Sequence, residues 1–196
     1  MLVLLPLVML VLPCAGHQWR VVDGKLMHVS LGQAGVWGVN SGNTIFYRQN
    51  TYRNVGSDGT GWLPVEGSLK QIAVGTTSVF GVNGYDQIFY RAGITSKQPS
   101  GTTWVLLDGN LKHITVSPAG VVWGVNSANQ IFYREGAELD NPIGASWLQV
   151  DGELKQISAG ESGVWGSIQT TTSSIEKALL ATMALLDVRG QIFPEN

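Results

Sequence analysis

The chain has 196 residues, of which only 13% are charged, and its formal net charge is −2. This length is enough for one domain with a hydrophobic core, whereas the sparse and balanced charge excludes the basic surface with which proteins bind nucleic acid or anionic membranes. The 25 glycines and seven tryptophans are typical of many short strands joined by tight turns rather than of a helical bundle.

Residues 1–16 contain an apolar run, Leu2 to Leu12, followed by a Pro-Cys-Ala-Gly segment. An apolar run that ends in small residues predicts a secretory signal peptide, cleaved after Gly16, and it is shorter than the ~20 residues of a membrane span. A disordered or buried N-terminal strand is the alternative. Cys14 is the only cysteine, so the mature chain is predicted to have no disulfide. We therefore expect a secreted, extracellular protein without a membrane span.

A unit of 42 or 43 residues repeats through most of the chain. Each copy begins with a tryptophan, continues through an acidic residue and a glycine into an apolar strand, and then reads GVWGVN and IFYR or close variants. The copies span about 19–48, 62–91, 104–134 and 147–166. A period of this size is typical of four-stranded sheets stacked radially as the blades of a β-propeller.

Each repeat predicts four short strands. In the first repeat they are Trp19–Val22, Leu26–Val29, Val36–Asn40 and Ile45–Arg48. An acidic residue followed by glycine, as in Asp23-Gly24, predicts a turn between the first two strands. The polar segments 49–61, 92–103 and 135–146 are predicted to be the loops between blades. Because so small a sheet cannot bury both of its faces alone, the sheets must stack on one another.

The fourth repeat is interrupted after Gly166, and a segment that resembles its missing last strand appears only at residues 190–196. Within the intervening residues 167–189, Ser173–Glu176 fits a capping box and Lys177–Leu186 favours a helix. We interpret the insertion as an alternative splice or gene-model product, with a regulatory insertion as the alternative. The four repeats therefore predict an open arc or a strained ring whose free sheet edges favour a homo-oligomer.

The series W-x-x-V-x-G-x-L-K-x-I, GVWGVN and IFYR resembles the tectonin repeat of the fish-egg lectins and tachylectins, and the resemblance covers residues 17–166. It implies an all-β β-propeller of four-stranded blades, usually six, of which about four are present here. It also implies a secreted lectin of innate immunity or egg defence that recognises N-acetylglucosamine-type glycans and bacterial lipopolysaccharide. A structural calcium ion in the central tunnel is implied for the same reason. The absence of disulfides from the mature chain departs from the family.

No catalytic constellation is evident in the sequence, and the chain is predicted not to be an enzyme. His28 and His113 occupy the same repeat position, but Gln71 and Gln156 replace them in the other copies. Such exchange favours polar strand positions over catalytic or metal-binding histidines. A propeller hydrolase is a further alternative, but no repeated feature supports it.

Sugars are bound by aromatic rings that stack on their apolar face and by planar polar side chains that bond their hydroxyls. The predicted carbohydrate-binding residues lie in or next to the loops that precede each tryptophan, and they are Asp58, Thr60, Trp62, Arg91, Thr102, Trp104, Arg134, Ser146 and Trp147. The structural alternative is that the tryptophans form core between blades and that each arginine pairs with a carboxylate of a neighbouring blade. The alternative function is a protein-interaction propeller without sugar binding.

Overall fold

A computed structural model describes residues 20–168, which form fourteen strands and, within that range, no helix. No helix in this part of the chain is therefore long and apolar enough to span a membrane. The strands are β1 (His28–Gly32), β2 (Gly35–Val39), β3 (Ile45–Arg48), β4 (Trp62–Val65), β5 (Gln71–Val74), β6 (Val79–Val82), β7 (Gln87–Ala92), β8 (Thr103–Asn110), β9 (His113–Val116), β10 (Val122–Val125), β11 (Gln130–Arg134), β12 (Trp147–Glu153), β13 (Gln156–Ala159) and β14 (Val164–Ser167). The predicted all-β class is confirmed.

Three predicted segments fall wholly or mostly outside the described residues. They are the signal peptide at 1–16, the insertion at 167–189 and the remnant strand at 190–196. Of the predicted insertion only the first two residues are described, and Ser167 is the last residue of β14.

The strands form three four-stranded antiparallel sheets and one two-stranded sheet, which we term blade 1 (β1–β4), blade 2 (β5–β8), blade 3 (β9–β12) and blade 4 (β13–β14). The first strand of each blade lies innermost, and successive inner strands pack on one another, β1 on β5, β5 on β9 and β9 on β13. Among the described strands, β1 and β13 have no comparable contact. Residues 20–168 therefore form successive propeller blades, and whether the whole chain is an open arc or a strained ring stays a prediction.

The sequence repeat is offset from the sheet by one strand, which corrects the predicted grouping. β4 begins the second sequence repeat, yet it completes blade 1 by pairing antiparallel with β3, with Arg48 opposite Trp62. The segments 49–61, 92–103 and 135–146 therefore connect strands within a blade rather than blade to blade. The strand predicted at Trp19–Val22 is not formed by residues 20–22. The equivalent strand β4 pairs with the strand before it in the chain, and no such strand precedes residues 20–22 in the described range.

The acidic residue and glycine of each repeat do not form a hairpin turn, contrary to the prediction. In β8, Ile88 pairs with Leu107 and Gln87 pairs with Asn110, so Asp108-Gly109 lies in a bulge opposite this register shift. Gly109 has a positive φ of 82°, a conformation that glycine adopts without a steric cost. The bulge bends the end of the outer strand before the chain passes to the next blade.

The hydrophobic core consists of one apolar layer between each pair of neighbouring blades. Trp37 on β2 is fully buried, and it packs in one cluster with Leu69, Ile72 and Val79 of blade 2. Gly81 keeps this cluster close-packed, because a Cβ added there would lie 2.4 Å from Leu69 Cδ1. Phe80 and Trp123 repeat the position of Trp37 in the next two layers. The aromatic residue of the GVWG motif is therefore core in the first three copies, as its exchange for phenylalanine indicates, whereas Trp165 in the fourth copy is 43% exposed.

Candidate functional site

An arginine, a tryptophan and a carboxylate meet at the junctions of blades 1 and 2 and of blades 2 and 3, and we term this group a clamp. In the clamp of blades 1 and 2, the buried Arg91 forms an ion pair with Glu66, which follows β4. The Arg91 guanidinium lies 5.2 Å from the ring centroid of Trp104, and its Nε donates to the Ser100 carbonyl at 2.7 Å. Trp104 Nε1 in turn donates to the Glu66 carbonyl at 2.8 Å. One buried cation thus joins two blades and a loop.

The same clamp joins blades 2 and 3. Arg134 lies 2.6 Å from Asp108 and 5.3 Å from the ring centroid of Trp147, and its Nε donates to the Ile143 carbonyl at 2.7 Å. Trp147 Nε1 donates to the Asp108 carbonyl at 3.0 Å. The predicted pairing of the strand-end arginines with a carboxylate of the neighbouring blade is confirmed for Arg91 and Arg134.

Each blade has a front face, which is turned towards the preceding blade, and a back face, which is turned towards the following blade. A third clamp lies at the front face of blade 1. Arg48 is 2.8 Å from Asp23, and its guanidinium lies 5.3 Å from the ring centroid of Trp62. Trp62 Nε1 donates to the Asp23 carbonyl at 2.7 Å, and Arg48 Nε donates to the Asp58 carbonyl at 2.7 Å. The segment around Asp23 therefore takes the place that the outer strand of a preceding blade takes in the other clamps.

The clamp explains three features of the repeat. Arginine ends the third strand and tryptophan begins the fourth, so antiparallel pairing sets Arg91 opposite Trp104. The glycine after the acidic residue leaves room for the indole ring, since a Cβ at Gly67 would lie 3.2 Å from Trp104 Cδ1. The hydrogen bond from Arg91 also holds the pKa of Glu66 below its usual value. These residue types therefore connect neighbouring blades in the structure.

Each of the three loops carries its own set of predicted sugar-binding residues, and most of their polar groups are engaged within the protein. The Asp58 carboxylate lies 2.8 Å from Arg20, and the Thr60 hydroxyl accepts from Asn50 Nδ2 at 3.0 Å. The Thr102 hydroxyl donates to the Ala92 carbonyl at 3.3 Å.

The third loop follows the same pattern, with the Ser146 hydroxyl 3.0 Å from Glu135 Oε2. The three tryptophans are half-buried and use their indole N–H groups in the clamps. Sugar binding by any of these residues remains a prediction.

A crevice between the loops of blades 1 and 2 has the chemistry expected of a sugar site. Its volume is about 570 Å³. The lining residues are uncharged and mainly polar, and they are Tyr47, Gln49, Asn50, Tyr52, Asn54, Leu63, Ser96, Gln98, Pro99 and Ser100. None of them is among the residues predicted from sequence. One wall could have been found from the sequence, because the segment Gln49–Asn54 is rich in amides. The other wall lies more than forty residues further along the chain.

The crevice is connected to the clamp through Ser100. Its carbonyl accepts from Arg91 Nε at 2.7 Å, and its hydroxyl is 3.2 Å from Gln98 Nε2. Gln98 Nε2 also donates to the Gly101 carbonyl at 3.1 Å, which orients the amide at the crevice wall. Arg91 therefore positions one wall of the crevice and does not itself line it.

A channel of about 580 Å³ runs between the inner strands of the four blades. His28, Gln71, His113 and Gln156 line it from equivalent repeat positions. Burial lowers the pKa of His28, and burial reinforced by His28 lowers the pKa of His113 to about 4, so both rings are neutral at pH 7. Both histidines begin inner strands, which confirms them as polar strand positions.

The channel does not suit the calcium ion that the resemblance implies. Calcium binds several carboxylate and carbonyl oxygens, whereas the channel is lined by imidazole, amide, hydroxyl and apolar side chains with no carboxylate. Between residues 20 and 168 there is also no group of three or more histidine, cysteine or acidic side chains placed to hold a metal.

Comparison with known proteins identifies the repeat and the fold. A family profile described as "Tectonin domain" matches residues 12–109 and 103–173. No curated protein sequence matches the chain. Among solved structures, human WBSCR16 aligns with a TM-score of 0.52 and 12% identity over 76% of this chain and 50% of that chain.

Two further structures align in the same way. Apo AztD from Citrobacter koseri has a TM-score of 0.52 and 12% identity over 87% of this chain and 47% of that chain. The WD40 repeats of RRP9 have a TM-score of 0.51 and 8% identity over 75% and 47%. The chain thus spans about half the length of these structures, and likeness at such low identity shows the fold alone.

Proposed function

This chain belongs to the tectonin family, and on that premise we propose that it is a non-enzymatic lectin whose sugar site is the crevice between blades 1 and 2. The proposed ligands are N-acetylglucosamine-type glycans, including those of bacterial lipopolysaccharide. Secretion directed by residues 1–16 belongs to the same proposal, because such glycans are extracellular.

The observation that carries this proposal is the composition of the crevice. Asn50, Asn54 and Gln98 bring exposed amide groups to it, and Tyr52 contributes a half-buried ring. Gln98 uses its amide N–H groups within the protein and Asn50 uses one of its two, so their carbonyl oxygens are left to accept from sugar hydroxyls and N-acetyl N–H groups. An aromatic ring covers the apolar face of a pyranose. A volume of about 570 Å³ falls within the range of small-molecule sites.

The crevice is also held in place before any ligand binds. Its two walls belong to different blades, and Arg91, which bonds the Ser100 carbonyl in one wall, joins those blades through its ion pair with Glu66. A preformed site avoids the entropic cost of ordering loops on binding. A single monosaccharide offers few contacts, so we expect weak affinity for the free sugar and stronger capture on surfaces that present many copies.

The test is capture of the full chain on immobilised N-acetylglucosamine with elution by the free sugar. The variant Asn54→Ala/Gln98→Ala removes one amide from each wall and is expected to abolish capture. Lys97→Ala, in the same loop but not in the crevice lining, is the matched control and is expected to bind normally. The site proposal fails if the two variants bind equally, and the lectin proposal fails if the unaltered chain is never captured.

A protein-interaction propeller is the second candidate. It is favoured by apolar side chains exposed on the two end blades, which include Leu31 on blade 1 and Trp165 on blade 4. Failure of glycan capture together with a stable protein complex would support it.

A further inference from the structure

The aromatic residue of the GVWG motif has one exposed copy. Trp37, Phe80 and Trp123 are at most 1% exposed, because the following blade covers each of them. Trp165 occupies the same position on β14 and is 43% exposed. The back face of blade 4 therefore presents a core residue with no following blade among the described residues to cover it.

The front face of blade 1 has exposed apolar residues at positions that are buried in the other blades. Val29 and Leu31 on β1 are 51% and 62% exposed, whereas their repeat equivalents in blade 2, Ile72 and Val74, are buried against blade 1. A groove of about 360 Å³ on this face is lined mainly by apolar side chains, including Leu26, Val36 and Trp62. The face that covers an aromatic residue in each inner layer thus covers nothing in blade 1 within the described range.

The inner layers show how these two faces fit together. Trp123 on the back of blade 3 packs with Leu154, Ile157 and Val164 on the front of blade 4. Trp37 on the back of blade 1 also meets Trp104 of blade 2 edge to face, with ring centroids 6.4 Å apart. By repeat equivalence, Trp165 fits over Leu26, Val29 and Val36 and meets Trp62.

Hydrogen bonds between inner strands follow the same pattern. The Gln71 side chain bonds both the N–H and the carbonyl of Ile114 in the next blade, at 3.0 and 2.7 Å. The Thr115 hydroxyl accepts from the Ala159 N–H at 3.2 Å, one blade further on. Gln156 and Ser158, on β13 in the last described blade, are the repeat equivalents of Gln71 and Thr115.

The receiving positions are on the first inner strand. Val29 and Leu31 are the repeat equivalents of Ile114 and Val116, so their backbone groups lie where Gln156 and Ser158 of another arc can reach them. The end faces are therefore matched in apolar shape and in hydrogen bonding. A face that is matched to a different face of the same chain makes a head-to-tail interface, which closes if the rotation completes a ring.

We propose that two copies of this chain associate head to tail, with the back face of blade 4 in each copy packed on the front face of blade 1 in the other. The assembly is a cyclic dimer with two identical interfaces.

The test measures the mass of the full chain in solution by size-exclusion chromatography with light scattering. The unaltered protein is expected to have twice the mass of one chain. Leu31→Lys on the front face and Trp165→Lys on the back face are each expected to be monomeric when alone. Leu106→Lys, at an exposed apolar position on β8 away from both end faces, is the control and is expected to stay dimeric.

Mixing the two monomeric variants separates this interface from a symmetric one. Each mixed pair retains one intact front face and one intact back face, so dimers are expected to return in the mixture. A monomeric unaltered chain, dimers that survive both substitutions, or a mixture that stays monomeric would each overturn the proposal, as would open-ended fibres. If either lysine variant unfolds, Leu31→Asn and Trp165→Asn provide the same comparison with a smaller perturbation.

Discussion

The junction of blades 1 and 2 holds two groups of residues that behave in opposite ways along the repeat. The clamp of Arg91, Glu66 and Trp104 recurs at the next junction with nearly the same distances. The crevice beside it is built from Gln49–Asn54 and Ser96–Ser100, and these segments have no common pattern. The internal repeat thus serves as a comparison within one chain. Residues that recur in every copy assemble the blades, and residues that differ are free to form a specific site.

The strongest test of the clamp is removal of its carboxylate. Glu66→Ala leaves the Arg91 guanidinium buried between two blades with only carbonyl partners. Breaking a buried ion pair costs about 3–5 kcal/mol, and because Glu66 itself is largely exposed we expect about 2–3 kcal/mol here. The melting temperature is expected to fall by roughly 5–10 °C in calorimetry.

Asp151→Ala is the matched control for that change. Asp151 has the same repeat position, but it has no ion pair with any residue between 20 and 168. A surface substitution of this kind is expected to change the free energy of unfolding by about 0.5 kcal/mol or less. Equal losses in the two variants would show that the acidic residue acts through its local backbone conformation and not through the arginine.

A second test uses acid to separate the channel from the clamp. The pKa of His113 is about 4 in the folded protein and near 6.5 when unfolded, so the unfolded state binds the additional proton. Its contribution to stability is complete above pH 6.5 and is lost as the pH falls towards 4. Because the ring is only partly buried, we expect a loss of about 1–2 kcal/mol over this interval.

The repeat itself supplies the control for the acid test. Gln71 and Gln156 occupy the position of His113 in other blades, so His113→Gln is expected to fold and to remove the part of the pH dependence between 6.5 and 4 that His113 contributes. His28, whose pKa burial also lowers, is expected to retain its own part. The pKa of Glu66 lies below its usual 4.5, so acid weakens the clamp only below about pH 4.5, at the acid end of that interval and beyond it. An unchanged pH profile in chemical denaturation of His113→Gln would assign the acid sensitivity to another group.

Most of the scaffold could be predicted from the sequence, because packing repeats whenever the residues repeat. The period indicated blades, and the exchange of Trp37 for Phe80 indicated core. The offset of the sheet by one strand could not be predicted, since a strand such as Trp62–Val65 has the same pattern whether it pairs with the strand before it or the one after it. The crevice could not be predicted because two non-repeated loops meet there only after the blades stack.

The smallest expected effect concerns salt, and it separates the crevice from the clamp by charge. No residue that lines the crevice is ionisable near neutral pH, whereas each clamp is an ion pair. Capture of a neutral N-acetylglucosamine ligand is therefore expected to vary less than about twofold between roughly 0.05 M and 0.5 M salt, since screening acts only on charges.

The same argument predicts that lipopolysaccharide is held through its sugars and not through its phosphates. Free N-acetylglucosamine should then displace it and inorganic phosphate should not. A steep loss of capture with salt, or elution by phosphate, would place the binding surface on exposed lysines and arginines outside the crevice.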